Sequence, residues 1–124
     1  GRYFIPLMNK NEKSVIAFLS ARVGSISDNS LGGWYSYRSS KTALNQIVKN
    51  FSIELKRINK NAIALALQPG TVESRFSEPF KKNVSKNKLF TPDYSVGLLS
   101  QVIENSSLNE SGSLLSYDGE IIKP

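Results

Sequence analysis

The chain has 124 residues, 40% of them hydrophobic and 21% charged, the balance of one ordinary globular domain rather than of a disordered chain or two domains. Cysteine and histidine are both absent, which removes disulfides, thiol nucleophiles, histidine-based triads and nearly every zinc site. A net charge of +6 permits contacts with phosphates or nucleic acid, but the basic residues are scattered and little interleaved with aromatic ones. The exception, Lys81, Lys82, Lys86 and Lys88, sits among Asn and Ser as in a solvated loop.

No run approaches the roughly 18 apolar residues that cross a bilayer, and no basic-then-apolar leader opens the chain. Gly1, running straight into Arg2-Tyr3-Phe4-Ile5, reads as a start in mid-protein. The expectation is a cytoplasmic protein with neither membrane nor nucleic acid as partner.

In chain order, residues 2–9 are mostly apolar and read as the tail of a helix. A polar turn at 9–13 leads to Ser14-Val15-Ile16-Ala17-Phe18-Leu19-Ser20, a short apolar run with β-branched and aromatic members, expected to be a strand buried on both faces. Residues 21–33 hold three glycines with Ser, Asp and Asn and predict a loop. From about Ser36 to Ile58, Leu44, Ile47, Val48, Phe51, Leu55 and Ile58 recur at helical spacing and form one apolar stripe. Ala62-Ile63-Ala64-Leu65-Ala66-Leu67 predicts a second buried strand, stopped by Gln68-Pro69-Gly70.

Residues 71–90 are long and polar enough to be a lid. Thr91 is placed to cap a further helix with Pro92 at its first position, its apolar face being Val96, Leu99, Val102 and Ile103. Residues 111–117 predict a third strand, followed by a turn at Asp118-Gly119. Strand–helix–strand–helix–strand alternation implies an α/β fold with parallel strands and helical crossovers.

Ligands of open α/β sheets bind beyond the carboxyl ends of the strands. Three features meet there: the loop after the first strand with Ser25, the bend Pro69-Gly70-Thr71-Val72-Glu73-Ser74 after the second, and the start of the intervening helix. That start sets Tyr37 and Lys41 four residues apart on one face, about 5–6 Å between Cβ atoms. An ammonium beside a phenol favours the phenolate and lowers its pKa towards the range of a proton-transfer catalyst.

The ordered motifs Leu19-Ser20-Ala21-Arg22-Val23-Gly24-Ser25-Ile26, Gly33-Trp34-Tyr35-Ser36-Tyr37-Arg38-Ser39-Ser40-Lys41 and Pro69-Gly70 resemble the C-terminal half of a short-chain dehydrogenase/reductase. Within that family they are most similar to the branch of C-factor-like and sniffer-like carbonyl reductases. The resemblance implies a three-layer, Rossmann-like fold: the C-terminal half of a doubly wound parallel sheet, about three strands with two long helices. It also implies an NAD- or NADP-dependent oxidoreductase, NADP slightly preferred, acting on a small carbonyl or alcohol substrate. Tyr37 is then the acid/base, and Lys41 lowers its pKa and bonds the nicotinamide ribose. Pro69, Gly70, Thr71, Val72 and Ser74 line the nicotinamide, residues 75–90 hold substrate, and Trp34 and Phe76 belong to the substrate site.

The family's substrate-orienting serine falls on Ala21. Ser20 matches a neighbouring structural serine, and Ser25, 12 residues before Tyr37, is the hydroxyl left to take the role. No glycine-rich dinucleotide fingerprint occurs. The resemblance thus implies that residues 1–124 are the catalytic half without its N-terminal dinucleotide-binding half, and that they are inactive alone. An unpaired edge on the first strand predicts pairing with the missing half or with a second copy in a dimer. A non-catalytic interaction module on the same scaffold is the other reading.

Overall fold

The computed structural model describes residues 2–72 and 89–124. Strand β1 (Ser14–Leu19) pairs in parallel with β2 (Ala62–Gln68), Ser14 opposite Ala62 through Leu19 opposite Leu67. β2 pairs in parallel with β5 (Leu114–Ser116). The turn at Asp118-Gly119 then returns the chain antiparallel as β6 (Ile121–Ile122), giving the order β1-β2-β5-β6. A separate two-residue parallel pair joins β3 (Thr71–Val72) to β4 (Leu89–Phe90). Helix α1 (Tyr35–Ile58) connects β1 to β2, and α2 (Pro92–Asn105) precedes β5. This is the expected Rossmann-like α/β arrangement, with β6, β3 and β4 added; each has only two residues, too few for alternation to reveal.

Why the layers form is visible in β2. Its side chains alternate across the sheet: Ala62, Ala64 and Ala66 pack with Val48 and Leu55 of α1, whereas Ile63, Leu65 and Leu67 pack with Leu99 and Val102 of α2. The alanines admit the long helix closely on one face, and the branched residues fill the space beneath the shorter helix on the other. Thr91 caps α2 as expected, its Oγ1 accepting from the Tyr94 N–H at 3.3 Å. At the far end Lys13 Nζ donates to the carbonyls of Ile103 at 3.2 Å and Glu104 at 2.5 Å, a cation placed against the negative end of the helix.

Four expectations change. Residues 2–9 are not the tail of an α-helix but hold one 3-10 turn, Ile5–Leu7; Pro6 lacks the N–H that a helix interior needs. β1 is not buried on both faces: Ile16 and Phe18 pack towards α1 and Val15 towards α2, but Ala17 is exposed and Leu19 is 62% exposed. The buried residues of α2 lie over β2 and β5, which leaves the far end of β1 uncovered among the described residues. The apolar stripe of α1 is narrower than its spacing implies, because Ile47 and Ile58 sit on its flank and face solvent. On α2, Val96 is likewise exposed rather than core. Of the proposed lid, the ends form β3 and β4, while residues 73–88, with Ser74, Phe76 and the Lys81–Lys88 cluster, lie outside the described residues.

Candidate active site

A cleft of about 870 Å3 opens where β1 and β2 end. Its walls are the segments Leu19–Val23 and Gln68–Val72, the start of α1 with Trp34, Tyr37, Arg38 and Lys41, and the start of α2 with Pro92, Ser95, Val96 and Leu99. Tyr37, Lys41 and the bend Pro69–Val72, singled out from the sequence, therefore share one cavity, and Trp34 stands at its side.

The loop after β1 is held to α1 by backbone proximity. A Cβ on Gly24 would lie 2.7 Å from the Lys41 carbonyl carbon and 2.9 Å from the Asn45 side chain, so only glycine lets the loop pass there. Thr42 Oγ1 donates towards the Gly24 carbonyl at 2.9 Å, and Ser20 Oγ donates to Asn45 Oδ1 at 2.5 Å. At the second bend Gly70 has φ +76°, and a Cβ there would meet the Phe90 ring at 2.6 Å. Phe90 in turn stacks edge-on against Tyr94 and Tyr117 at 5.2 and 4.8 Å. Ser95 Oγ donates to the Pro69 carbonyl at 3.2 Å, tying the bend to α2.

The tyrosine–lysine pair is adjacent but not arranged as expected. Lys41 Nζ donates to the Leu19 carbonyl at 3.0 Å and lies 5.9 Å from the centre of the Tyr37 ring, at the limit of a cation–π contact. The Tyr37 pKa is raised rather than lowered: burial disfavours the phenolate. The Lys41 ammonium faces a backbone oxygen and the ring.

Ser25, the residue expected to orient the substrate, has its hydroxyl turned to the protein. It is 1% exposed and is not among the residues that line the cleft. Its hydroxyl donates to the Lys123 carbonyl and accepts from the Asp28 N–H at 3.1 Å, and Ser27 Oγ donates to the Pro124 carbonyl at 2.6 Å. The pair of serines anchors the loop to the segment after β6. Ala21 does line the cleft, without a hydroxyl, and the Ser20 hydroxyl is taken by Asn45.

Sequence reasoning missed three contributors to the cleft. Gln68 ends β2 in its wall, with Oε1 accepting from the Arg22 N–H at 3.0 Å; the signal was its place directly before Pro69-Gly70. Leu31 and Val96 supply apolar surface. Val96 was legible only as a core position, and Leu31 carried no periodic signal at all. Among the described residues no group of acids suited to a metal ion occurs, and no helix is long and apolar enough to cross a membrane.

No family model matches the chain. It is 32% identical, over 95% of its length, to 1-hydroxy-2-glutathionyl-2-methyl-3-butene dehydrogenase of a Rhodococcus species, of which it covers 49%. To C-signal of Myxococcus xanthus it is 30% identical over 93% of its length, covering 64% of that protein. Among solved structures it is similar to the NADPH-bound carbonyl reductase from chicken fatty liver, with a TM-score of 0.77 and 30% identity, covering 90% of this chain and 43% of that one. The chain thus spans about half to two thirds of the length of these curated relatives. Fold, cleft and likeness agree: the homologues of the chain are oxidoreductases of the short-chain dehydrogenase/reductase family, C-signal and the carbonyl reductase Sniffer among them.

Proposed function

We propose that these residues are the acid/base and substrate-holding part of an NAD(P)-dependent oxidoreductase that interconverts a carbonyl compound and its alcohol. The observation that carries the reading is the convergence of Tyr37, Lys41 and Pro69–Val72 on one cleft at the carboxyl ends of β1 and β2.

The cleft suits the nicotinamide end of the cofactor: Pro69, Gly70, Thr71 and Val72 would line the ring and Lys41 would hold the ribose hydroxyls. It does not suit the other end, since no glycine-rich turn between a strand and a helix occurs among these residues to receive a pyrophosphate. That part would come from a dinucleotide-binding half, in the same polypeptide or in a partner, and residues 1–124 alone turn over negligibly. The bound nicotinamide supplies the hydride in reduction and accepts it in oxidation. Tyr37 gives its phenolic proton to the carbonyl oxygen as the carbonyl carbon gains hydride, and takes it back in the reverse direction. A phenol is protonated at neutral pH, the state a proton donor needs, and burial moves its pKa further up. NADP is slightly preferred, in keeping with the NADPH-bound carbonyl reductase among the similar structures.

The second reading, a non-catalytic module, is favoured by one observation: Ala21 lines the cleft where the family places a hydroxyl, and the hydroxyls of Ser20 and Ser25 are both engaged elsewhere. NADPH oxidation coupled to carbonyl reduction by the intact polypeptide separates the two. Replacing Tyr37 by Phe is expected to lower kcat by about 10²–10⁴; unchanged turnover in Tyr37→Phe, or none in the parent, leaves the interaction module.

A further inference from the structure

We propose that Phe90, backed by Tyr94 and Tyr117, holds the bend Pro69–Val72 in the shape that receives the nicotinamide end of a dinucleotide, and so sets the affinity for that end without touching it. The inference rests on the oxidoreductase reading for what the bend receives, but the clamp itself stands on the packing around Gly70.

The bend needs holding. Gly70 sits at φ +76°, and the strand it feeds, Thr71–Val72, has a ladder of only two residues with Leu89–Phe90. A strand pair so short is marginal on its own, and binding loops belong to the least stable parts of a fold. The backbone of the bend therefore samples other conformations unless side chains fix one.

Three aromatic rings do so. A Cβ on Gly70 would come within 2.6 Å of Phe90 Cε2 and 3.2 Å of Tyr117 Cδ1, so both rings lie directly against the glycine. Phe90 stands edge-on to Tyr117 at 4.8 Å and 85°, and to Tyr94 at 5.2 Å and 72°, an arrangement favourable beyond the area it buries. Tyr117 follows directly on β5, and Tyr94 lies in the first turn of α2. The rings thereby join the bend to the sheet and to α2, on which Ser95 also binds the Pro69 carbonyl.

None of the three rings is among the residues that line the cleft, whereas Pro69, Gly70, Thr71 and Val72 all are. Their effect on a ligand passes through Gly70, which makes them positioning residues. Loss of a ring lowers the fraction of molecules whose bend is ready, and the apparent affinity falls with that fraction.

The test measures two affinities of the intact polypeptide by calorimetry. One ligand is the reduced dinucleotide, NADPH or NADH, whichever binds more tightly. The other is the adenosine end of that dinucleotide alone, adenosine 2′,5′-bisphosphate or AMP. Phe90→Leu and Tyr117→Leu keep apolar bulk and remove a ring. Each is expected to weaken the dinucleotide about threefold to tenfold and the adenosine end by less than about twofold. Tyr117→Phe retains the ring and should bind both ligands as the parent does. Tyr94→Leu, at a position 56% exposed where folding is not at stake, should weaken the dinucleotide about twofold. Dinucleotide affinity kept in Phe90→Leu or in Tyr94→Leu, Tyr117→Phe as weak as Tyr117→Leu, or a loss shared equally by the adenosine end would overturn the proposal and leave the oxidoreductase reading standing. A parent that binds neither ligand overturns that reading, and the proposal with it.

Discussion

Tyr37 concentrates the chemistry of the protein, and its environment departs from what a tyrosine and lysine one helical turn apart suggest. Spacing predicted the shared face; it did not reveal that Lys41 would bond the Leu19 carbonyl, a partner 22 residues away. Partial burial then dominates and raises the phenol above its ordinary value near 10. The sign for stability follows. Below pH 10 the phenol is protonated in both folded and unfolded chains, and no penalty arises. As pH rises above 10 the unfolded chain releases its proton first, so folding loses stability until the folded phenol also ionises. The expected outcome is a phenolate absorbance difference between the parent and Tyr37→Phe whose midpoint lies above pH 10, together with a shallower alkaline loss of stability in the variant. A midpoint below 10 would mean that the ammonium governs the phenol after all.

At the scale of elements, β2 explains both the legibility of the fold and its limits. Its six apolar residues read as a buried strand, and all six are buried; their alternation of Ala with Ile and Leu also encodes which helix covers which face. Leu65→Ala removes a wholly buried side chain beneath α2 and should cost about 2–5 kcal/mol. Ala64→Leu, on the other face, forces volume against Val48 and Leu55 and should cost about 1–3 kcal/mol. Urea unfolding of the two variants checks both signs; a neutral Ala64→Leu would mean that α1 is not closely packed on the sheet.

Long periodic elements such as α1 and the capped start of α2 were readable because their signals are local. Ser25 was not, since its partners come from the segment after β6, and Gln68 was not, since its role depends on the loop after β1 folding back to it. Tertiary contacts of that kind leave no periodicity in a single sequence. The site was thus legible as a location, from strand ends and a helix start, but not as a hydrogen-bond network.

For the whole molecule, the decisive feature is the outer edge of β1. The sheet runs β1-β2-β5-β6, and among the described residues no strand pairs with β1 on the side away from β2. Its backbone groups there are a template for another strand. The side chains add to the exposure, with Ala17 and Leu19 open to solvent at the end nearest the cleft. An edge six residues long, with β-branched and aromatic residues, carries neither the charge nor the proline by which proteins blunt such edges. The chain by itself is therefore expected to self-associate, or to take up a dinucleotide-binding half when one is supplied. Sedimentation velocity should show an average mass that rises with concentration in the parent and stays near that of the monomer in Ala17→Lys, which places a charge on the exposed part of the edge. A parent that remains monomeric at all concentrations would mean that β1 is protected by something other than a pairing strand. It would also remove the structural reason for supposing that a second half docks there.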